Sequence, residues 1–417
     1  MVMSMNKIIK HKFKNGLNLS FIKKEGFSKI YCGIGVKFGG GNLEYEKDGK
    51  LINLKPGIAH FIEHKLFMMP DGTDAFDTFS KLNASANAYT AIDKTVYYFT
   101  TNDDFYSPLK LLLDMYFTPC FLHDDVENEK NIILSELYMN LDDISYRIRA
   151  KSLEEAYPDD YYSMPILGTT QSIKSIDEND LYDAYYDFYT PNNSELVIVG
   201  DLDENYLIEF IENNLSNIKY SNNEIIKHST IKSKSIREKE YTFIDDKITQ
   251  DELFLIIRLD NISNKDIISC ERVLGVFEAL LSLSCPFYKH LDKLNLIPNG
   301  IDFQVDTSAN TTNCILEATS PNVKKLAKLL IDKIRNLKIE DLALKQLDYF
   351  VKHIKAKQIS GEDSISNFGD KYLSLLLENI DYTILNDRLI SLNIDDINYY
   401  LSDIKSSQIL SFYVRKK

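Results

Sequence analysis

The sequence predicts an α+β chain of two homologous domains, each an antiparallel-rich sheet with helices packed on one face. Three observations predict it. β-rich runs and amphipathic runs alternate over roughly the first 200 residues, a polar stretch without period follows at 217–240, and the order of elements then restarts. At 417 residues the chain has the length of two or three domains, and its 44% hydrophobic content is enough for sizeable cores.

The elements follow in order. "LNLSFI" and "IYCGIGVKF" are β-rich and separated by the turn-like "KKEGFSK". "GIGVKFGGG" invites a dinucleotide-loop reading, but Phe38 stands where the third glycine belongs and no helix follows at once, so a strand end with a flexible turn is the better reading. "GIAHFIEHKLFMM" has helical periodicity, and a second helix is expected around "DAFDTFSKL". "NASANAYTAIDKTVYYFTT" reads as two strands around "AIDK". Residues 104–118 and 124–145 are amphipathic helices, "NSELVIVGDLD" is a buried strand ending in a turn, and "ENYLIEFIENNLSNI" is a helix. The predicted partition is therefore 1–220, a linker at 221–240, and 241–417.

In the second copy "DELFLIIRL" is a strand, "DIISCERVLGVFEALLSL" a helix, and "FYKHLDKLN" echoes "FDTFSKLN". "IDFQVDTSANTTNCILEATS" is again a strand pair, with helices through "LALKQLDYFVKHIKAKQI". The helix matching "GIAHFIEHKLF" is "CERVLGVFEALLS", which keeps the apolar face and has no histidine. Packing in that place therefore does not need histidines, and those of the first copy want another explanation.

Composition narrows the function classes. A net charge of −14 argues against nucleic acid and against an anionic membrane surface as partners. The cysteines (Cys32, Cys120, Cys270, Cys285, Cys314) are odd in number and form no close pair, which suits neither a disulfide scaffold nor a Cys-rich zinc site and fits a reducing compartment. The start has no apolar core of signal-peptide length, and "VLGVFEALLSLSCPFY" is broken by Glu278 short of a membrane span. The expectation is a cytoplasmic protein.

The chemistry concentrates in "HFIEH", which holds two of the chain's seven histidines. Side chains at i and i+4 share a helical face, so His60 and His64 can point at one metal ion, and Glu63, three after His60, lies near that face. Two imidazoles beside a carboxylate suit Zn²⁺. The metal acidifies a water and polarises a scissile carbonyl, and Glu63 can take the proton and pass it to the leaving amine. A third ligand should come from another helix. In "DVENEKNIILSELYMNLDD", Glu127 fits a solvated charged face, whereas Glu129 and Glu136 are two turns apart amid Ile132, Ile133 and Leu137, where an unpaired carboxylate is costly to bury. One of those two binds zinc and the other orients a histidine ligand.

"HFIEH" followed by "ENEKNIILSEL" resembles the insulinase/pitrilysin (inverzincin) family of zinc metallopeptidases. The resemblance extends through "NASANAYTAIDKTVYYF", "PILGTTQSIKSI" and "DFYTPNNSELVIVGDLD", in the family's order, and is strongest to the bacterial two-domain subgroup similar to the subunits of mitochondrial processing peptidase. It implies one Zn²⁺ per chain on His60, His64 and Glu136, with Glu63 as base and Glu129 supporting a ligand from behind. It also implies that Asn87, Ala88, Tyr89 and Thr90 form the strand edge on which an extended peptide pairs. The expected function is a zinc-dependent endopeptidase; the alternative is a catalytically silent structural or binding subunit of the same fold. The sequence departs from the family in "HLDKLNLIPNG", where Asp292 and Pro298 fall at or near the places of a substrate-holding Arg and Tyr. A homologous zinc-less partner carrying that pair is therefore expected, as a heterodimer, with a homodimer as the second choice.

Overall fold

A computed structural model describes residues 7–158, 160–216, 227–228, 235–236, 238–259, 267–307, 312–343, 364–380 and 394–417, with isolated positions between 345 and 382. The expected linker at 221–240 and the helices expected through "LALKQLDYFVKHIKAKQI" lie largely outside the described residues.

The first half runs β1 (Ile8–Lys12), β2 (Asn18–Lys23), β3 (Ile30–Val36), the hairpin β4 (Glu44–Lys47) and β5 (Lys50–Asn53), α1 (Ile58–Lys65), α2 (Ala75–Lys81), β6 (Ser85–Thr90) and β7 (Thr95–Thr101). It continues with α3 (Tyr106–Phe117), α4 (His123–Asp142), α5 (Ile144–Ala156), α6 (Thr170–Ser175), α7 (Glu178–Phe188), β8 (Ser194–Gly200) and α8 (Glu204–Leu215). The second half runs β9 (Lys227–His228), β10 (Glu238–Asp245), β11 (Glu252–Leu259), α9 (Ile267–Leu281), α10 (Pro286–Lys293), β12 (Asp302–Thr307) and β13 (Thr312–Thr319). It ends with α11 (Val323–Arg335), α12 (Ile365–Leu377), α13 (Ile394–Ser406) and β14 (Gln408–Lys416).

The repeat is visible in the sheets. The two larger sheets have the orders β1-β2-β8-β3-β7-β6 and β10-β14-β11-β13-β12, beside a small sheet β5-β4-β9. Setting β2 against β10, β8 against β14, β3 against β11, β7 against β13 and β6 against β12, the two orders coincide, and each has one parallel pair, β2 with β8 and β10 with β14. Among the described strands of these two sheets, β1 has no counterpart. The expected helix over 124–145 is instead two helices. Asp143 is extended, and its carboxylate accepts the Ser145 N–H at 2.8 Å, an N-cap that starts α5 afresh.

Two compact units result, and they are not contiguous in sequence. One comprises 1–139, 164–229 and 360–379; the other comprises 140–163, 230–359 and 380–417. A linear cut at 221–240 therefore misses a reciprocal exchange: α5 belongs to the second unit and α12 to the first. In the first unit, Ile30, Cys32, Ile34 and Val36 of β3 point into the main core with α1, α3 and α7. The alternate residues meet α12, where a Cβ on Gly35 would come 2.6 Å from Leu377 and one on Gly33 would come 3.0 Å from Leu373. The glycines of "IYCGIGV" thus sit inside the strand and make room for a helix, while the strand ends at Val36 and Gly39, Gly40 and Gly41 follow in the turn, as expected of "GIGVKFGGG". In the second unit, Ile148, Ala156 and Tyr157 of the α5 segment cluster with Ile256, Leu410 and Phe412 in the same way.

Two predictions arise here. Gly369 lets α12 lie on the fully buried Tyr31, since a Cβ there would fall 2.3 Å from the ring. Gly369→Ala should cost about 1–3 kcal/mol by overpacking, read as a lower thermal midpoint; an unchanged midpoint would contradict this seating of α12. Glu195 of β8 is held above the usual carboxylate range by burial, although Asn18 donates to it at 3.0 Å. A carboxyl raised on folding favours the protonated chain, so its ionised form weakens the fold above the folded pKa and has no effect below the unfolded one. Glu195→Gln should therefore raise the thermal midpoint at pH 7.5, and the gain should vanish near pH 4. A gain that instead grows in acid would reverse the assignment.

Candidate metal centre

α1 begins at Gly57, whose φ of 93° is left-handed and whose Cβ position lies 2.6 Å from the Leu167 carbonyl oxygen, so a side chain is excluded twice over. Ile58, Ala59, Phe61 and Ile62 anchor the helix in the core. That seating carries His60 inward to 7% exposure and leaves His64 half-buried one turn later, their ring centroids 4.6 Å apart.

α4 supplies the glutamates. Glu136 Oε2 lies 3.8 Å from His60 Nε2 and 3.5 Å from His64 Nε2. On the other side of the His64 ring, Glu129 Oε1 is 3.0 Å from Nδ1. A carboxylate there accepts an N–H, so Nδ1 carries the proton and the Nε2 lone pair is left facing Glu136. The two glutamates thus separate in role by which nitrogen each faces. The donor atoms of His60, His64 and Glu136 all lie within 4.8 Å of one another.

These residues fit a zinc ion. Ligands at about 2.0–2.1 Å in a tetrahedral shell stand roughly 3.3 Å from each other; Glu136 stands 3.5 and 3.8 Å from the two imidazoles, and the whole set lies within 4.8 Å. The donor set of two imidazoles and a carboxylate is of the kind zinc takes. Electrostatics agree: burial, and then the neighbouring His64, push the His60 imidazole down to about 3, which leaves it neutral with its lone pair available. For His64 burial works downward, but the hydrogen bond to Glu129 and the charges of Glu63, Glu129 and Glu136 outweigh it and raise the group. So much anionic character around two rings calls for a cation.

Glu63 stands beside this set and outside it. Burial raises its carboxyl, the Thr90 hydroxyl and His64 draw it back, and Glu136 pushes it up again, leaving it above the usual range. Thr90 Oγ1 donates to Glu63 Oε2 at 2.6 Å.

Asn87, Ala88, Tyr89 and Thr90 lie in β6, the last strand of the sheet, which is paired on one side with β7. Asn87 Oδ1 accepts the Ala88 N–H at 2.9 Å, and the Tyr89 hydroxyl donates to Asp370 of α12 at 3.0 Å. Sequence reading placed Thr90 on the substrate strand and did not foresee its bond to Glu63. It also passed over Lys65, 2% exposed, with Nζ 3.8 Å from Glu129 Oε2. The signal for Lys65 was present as a lone cation in an apolar helical run. Asp292 and Pro298 belong to the second unit, where Asp292 lies in α10 and both are exposed.

A family model described as insulinase (peptidase family M16) matches residues 28–170, which include both histidines and the three glutamates, and one described as the peptidase M16 inactive domain matches 175–352. The chain belongs to peptidase family M16. Among M16 relatives, an uncharacterized zinc protease of Bacillus subtilis (strain 168), YmfH, is 35% identical over 238 residues, which are 57% of this chain and 54% of that protein. The matched region thus spans about half the relative's length. The M16 fold is equally plain. An M16-like peptidase from Alicyclobacillus acidocaldarius superposes with a TM-score of 0.89 at 20% identity over 100% of both chains. A peptidase M16 inactive domain from Pseudomonas fluorescens gives 0.75 at 15% identity, over 99% of this chain and 98% of that one. No helix among the described residues of this M16 chain is long and apolar enough to cross a membrane.

Proposed function

We propose that the chain is a zinc-dependent endopeptidase acting on extended peptides or unfolded segments, and that it is the zinc-bearing subunit of a heterodimer. One observation carries the first part: His60, His64 and Glu136 converge, while Glu63 on the same helix stays free of them. Zinc held by those three would supply Lewis-acid polarisation of the scissile carbonyl and acidify water. The chain's own residues do the rest. Glu129 fixes the His64 ring and its tautomer, and burial keeps His60 neutral. Thr90 holds Glu63 Oε2, which leaves Oε1 to take a proton from the attacking water and return it to the leaving amine. The edge strand β6 offers its backbone to an extended peptide, so that Thr90 joins the strand that grips substrate to the group that moves the proton. The reading places the protein in the cytoplasm; Cys32, Cys120 and Cys285 are free thiols.

The partner is motivated by Asp292 and Pro298. A hydrolase must stabilise charge developing on the carbonyl oxygen, and the loss of one donor typically costs about a hundredfold or more in rate. A homologous zinc-less chain bearing Arg and Tyr would restore that help; a homodimer would not. The alternative reading, a catalytically silent subunit, draws on the same two residues and on the neighbour named an inactive domain. Assay on an unstructured peptide separates them. Turnover by this chain alone should be low and should rise at least about a hundredfold on adding the zinc-less homologue. Full activity alone, unchanged by the partner, removes the heterodimer. No turnover in either case, with zinc bound, favours the silent subunit.

A further inference from the structure

Lys65 is among the largest fully buried side chains of the molecule, and the mechanism above makes no use of it. An ammonium group withdrawn from water is costly unless it is paired, and a well-packed apolar residue of similar length would usually serve a core position better. The partner is Glu129, itself largely buried, and the way that carboxylate is shared is the informative point. Oε1 accepts from His64 Nδ1 at 3.0 Å, and Oε2 faces Lys65 Nζ at 3.8 Å. Two consecutive residues of α1 are thus held by the two oxygens of one side chain from α4. His64 and Lys65 also occupy the last turn of α1, where positive charge is favoured by the helix dipole.

We infer that Lys65 is a positioning residue of the metal centre: by engaging the second oxygen of Glu129 it fixes the carboxylate that orients His64 toward the metal. The inference rests on the metal reading of His60, His64 and Glu136. Lysine rather than methionine stands there because Glu129 has one oxygen committed to His64 and its charge must be balanced where water is scarce. Without Lys65 the carboxylate could turn about its remaining contact, and the His64 ring with it.

The test is zinc affinity, measured against a competing chelator on the full chain. Wild-type protein is titrated first; if it binds no zinc, the metal reading itself falls. Lys65→Met keeps the length of the side chain and removes the charge. It should weaken zinc binding about tenfold, within the range for residues that support a ligand. The deciding measurement is the double-mutant cycle. In a Glu129→Gln background, Lys65→Met should cost no further affinity, because the group through which Lys65 acts has lost its charge. Wild-type affinity in Lys65→Met, or the same loss in both backgrounds, overturns the inference while leaving the metal reading intact. Should Lys65→Met fail to fold, the double variant decides. Recovery of folding when both charges are gone supports the pairing, and failure of the double variant makes Lys65 a core residue with no role toward the metal.

Discussion

Glu63→Gln is expected to abolish peptide hydrolysis and to leave about one zinc per chain in place. Glutamine has the shape of glutamate, and its carbonyl oxygen can still accept the Thr90 hydroxyl that now reaches Oε2 at 2.6 Å. What it cannot do is take a proton. General acid–base assistance of this kind is typically worth about 10²–10⁴ in rate, so turnover of an unstructured peptide should fall by that factor. Zinc content should not change, since Glu63 is not among the three side chains whose donors converge. Kinetics and elemental analysis on the same preparation check both halves. Turnover within a few fold of wild type would take the base role from Glu63, and loss of metal would move Glu63 into the ligand set.

The second large effect is on metal content. His64→Ala removes one of three donors and leaves Glu129 Oε1 without its imidazole partner, so zinc should drop from about one per chain to near none. Glu136→Gln should also release most of the metal, because Oε2 is the oxygen that faces both imidazoles. Glu129→Gln should act more gently, about 10–100-fold in affinity, as is usual for a group that orients a ligand. The ranking is the sensitive part. If Glu129→Gln emptied the site and Glu136→Gln kept it full, the two glutamates would have to exchange roles; equal zinc in wild type and His64→Ala would remove the site altogether.

The line between what the sequence discloses and what it hides follows sequence separation. His60, Glu63 and His64 lie within two turns of one helix, so helical geometry alone brings them together, and Glu129 and Glu136 are likewise two turns apart on α4. β-rich runs also locate β3, β7, β8, β11 and β13, which are buried along most of their length, and β6 follows as the other strand of the pair around "AIDK". Contacts between distant elements leave no such trace. Thr90 finds Glu63 across 27 positions and Tyr89 finds Asp370 across 281, and neither spacing has a period. The break at Asp143 was hidden because the apolar pattern runs on through it, and only the capping bond to Ser145 shows that the helix restarts. The hairpin β4–β5 escaped for a different reason: its strands are short, and half of their residues are charged.

The exchange of α5 and α12 has a consequence for biosynthesis. A ribosome makes β1 to β8 and the whole ligand set before it makes residues 365–377. Until then Tyr31, Gly33 and Gly35 lack the α12 residues that lie against them, Lys94 lacks Glu378, and Tyr89 lacks Asp370. The nascent chain therefore carries that face of the sheet without α12 from the completion of β8 until residue 377 is made. α5 waits in the same way for β14. The ligand set is in this way complete in sequence well before the helix that covers its sheet, so a chain stopped between β8 and α12 would hold every ligand on a sheet without that cover.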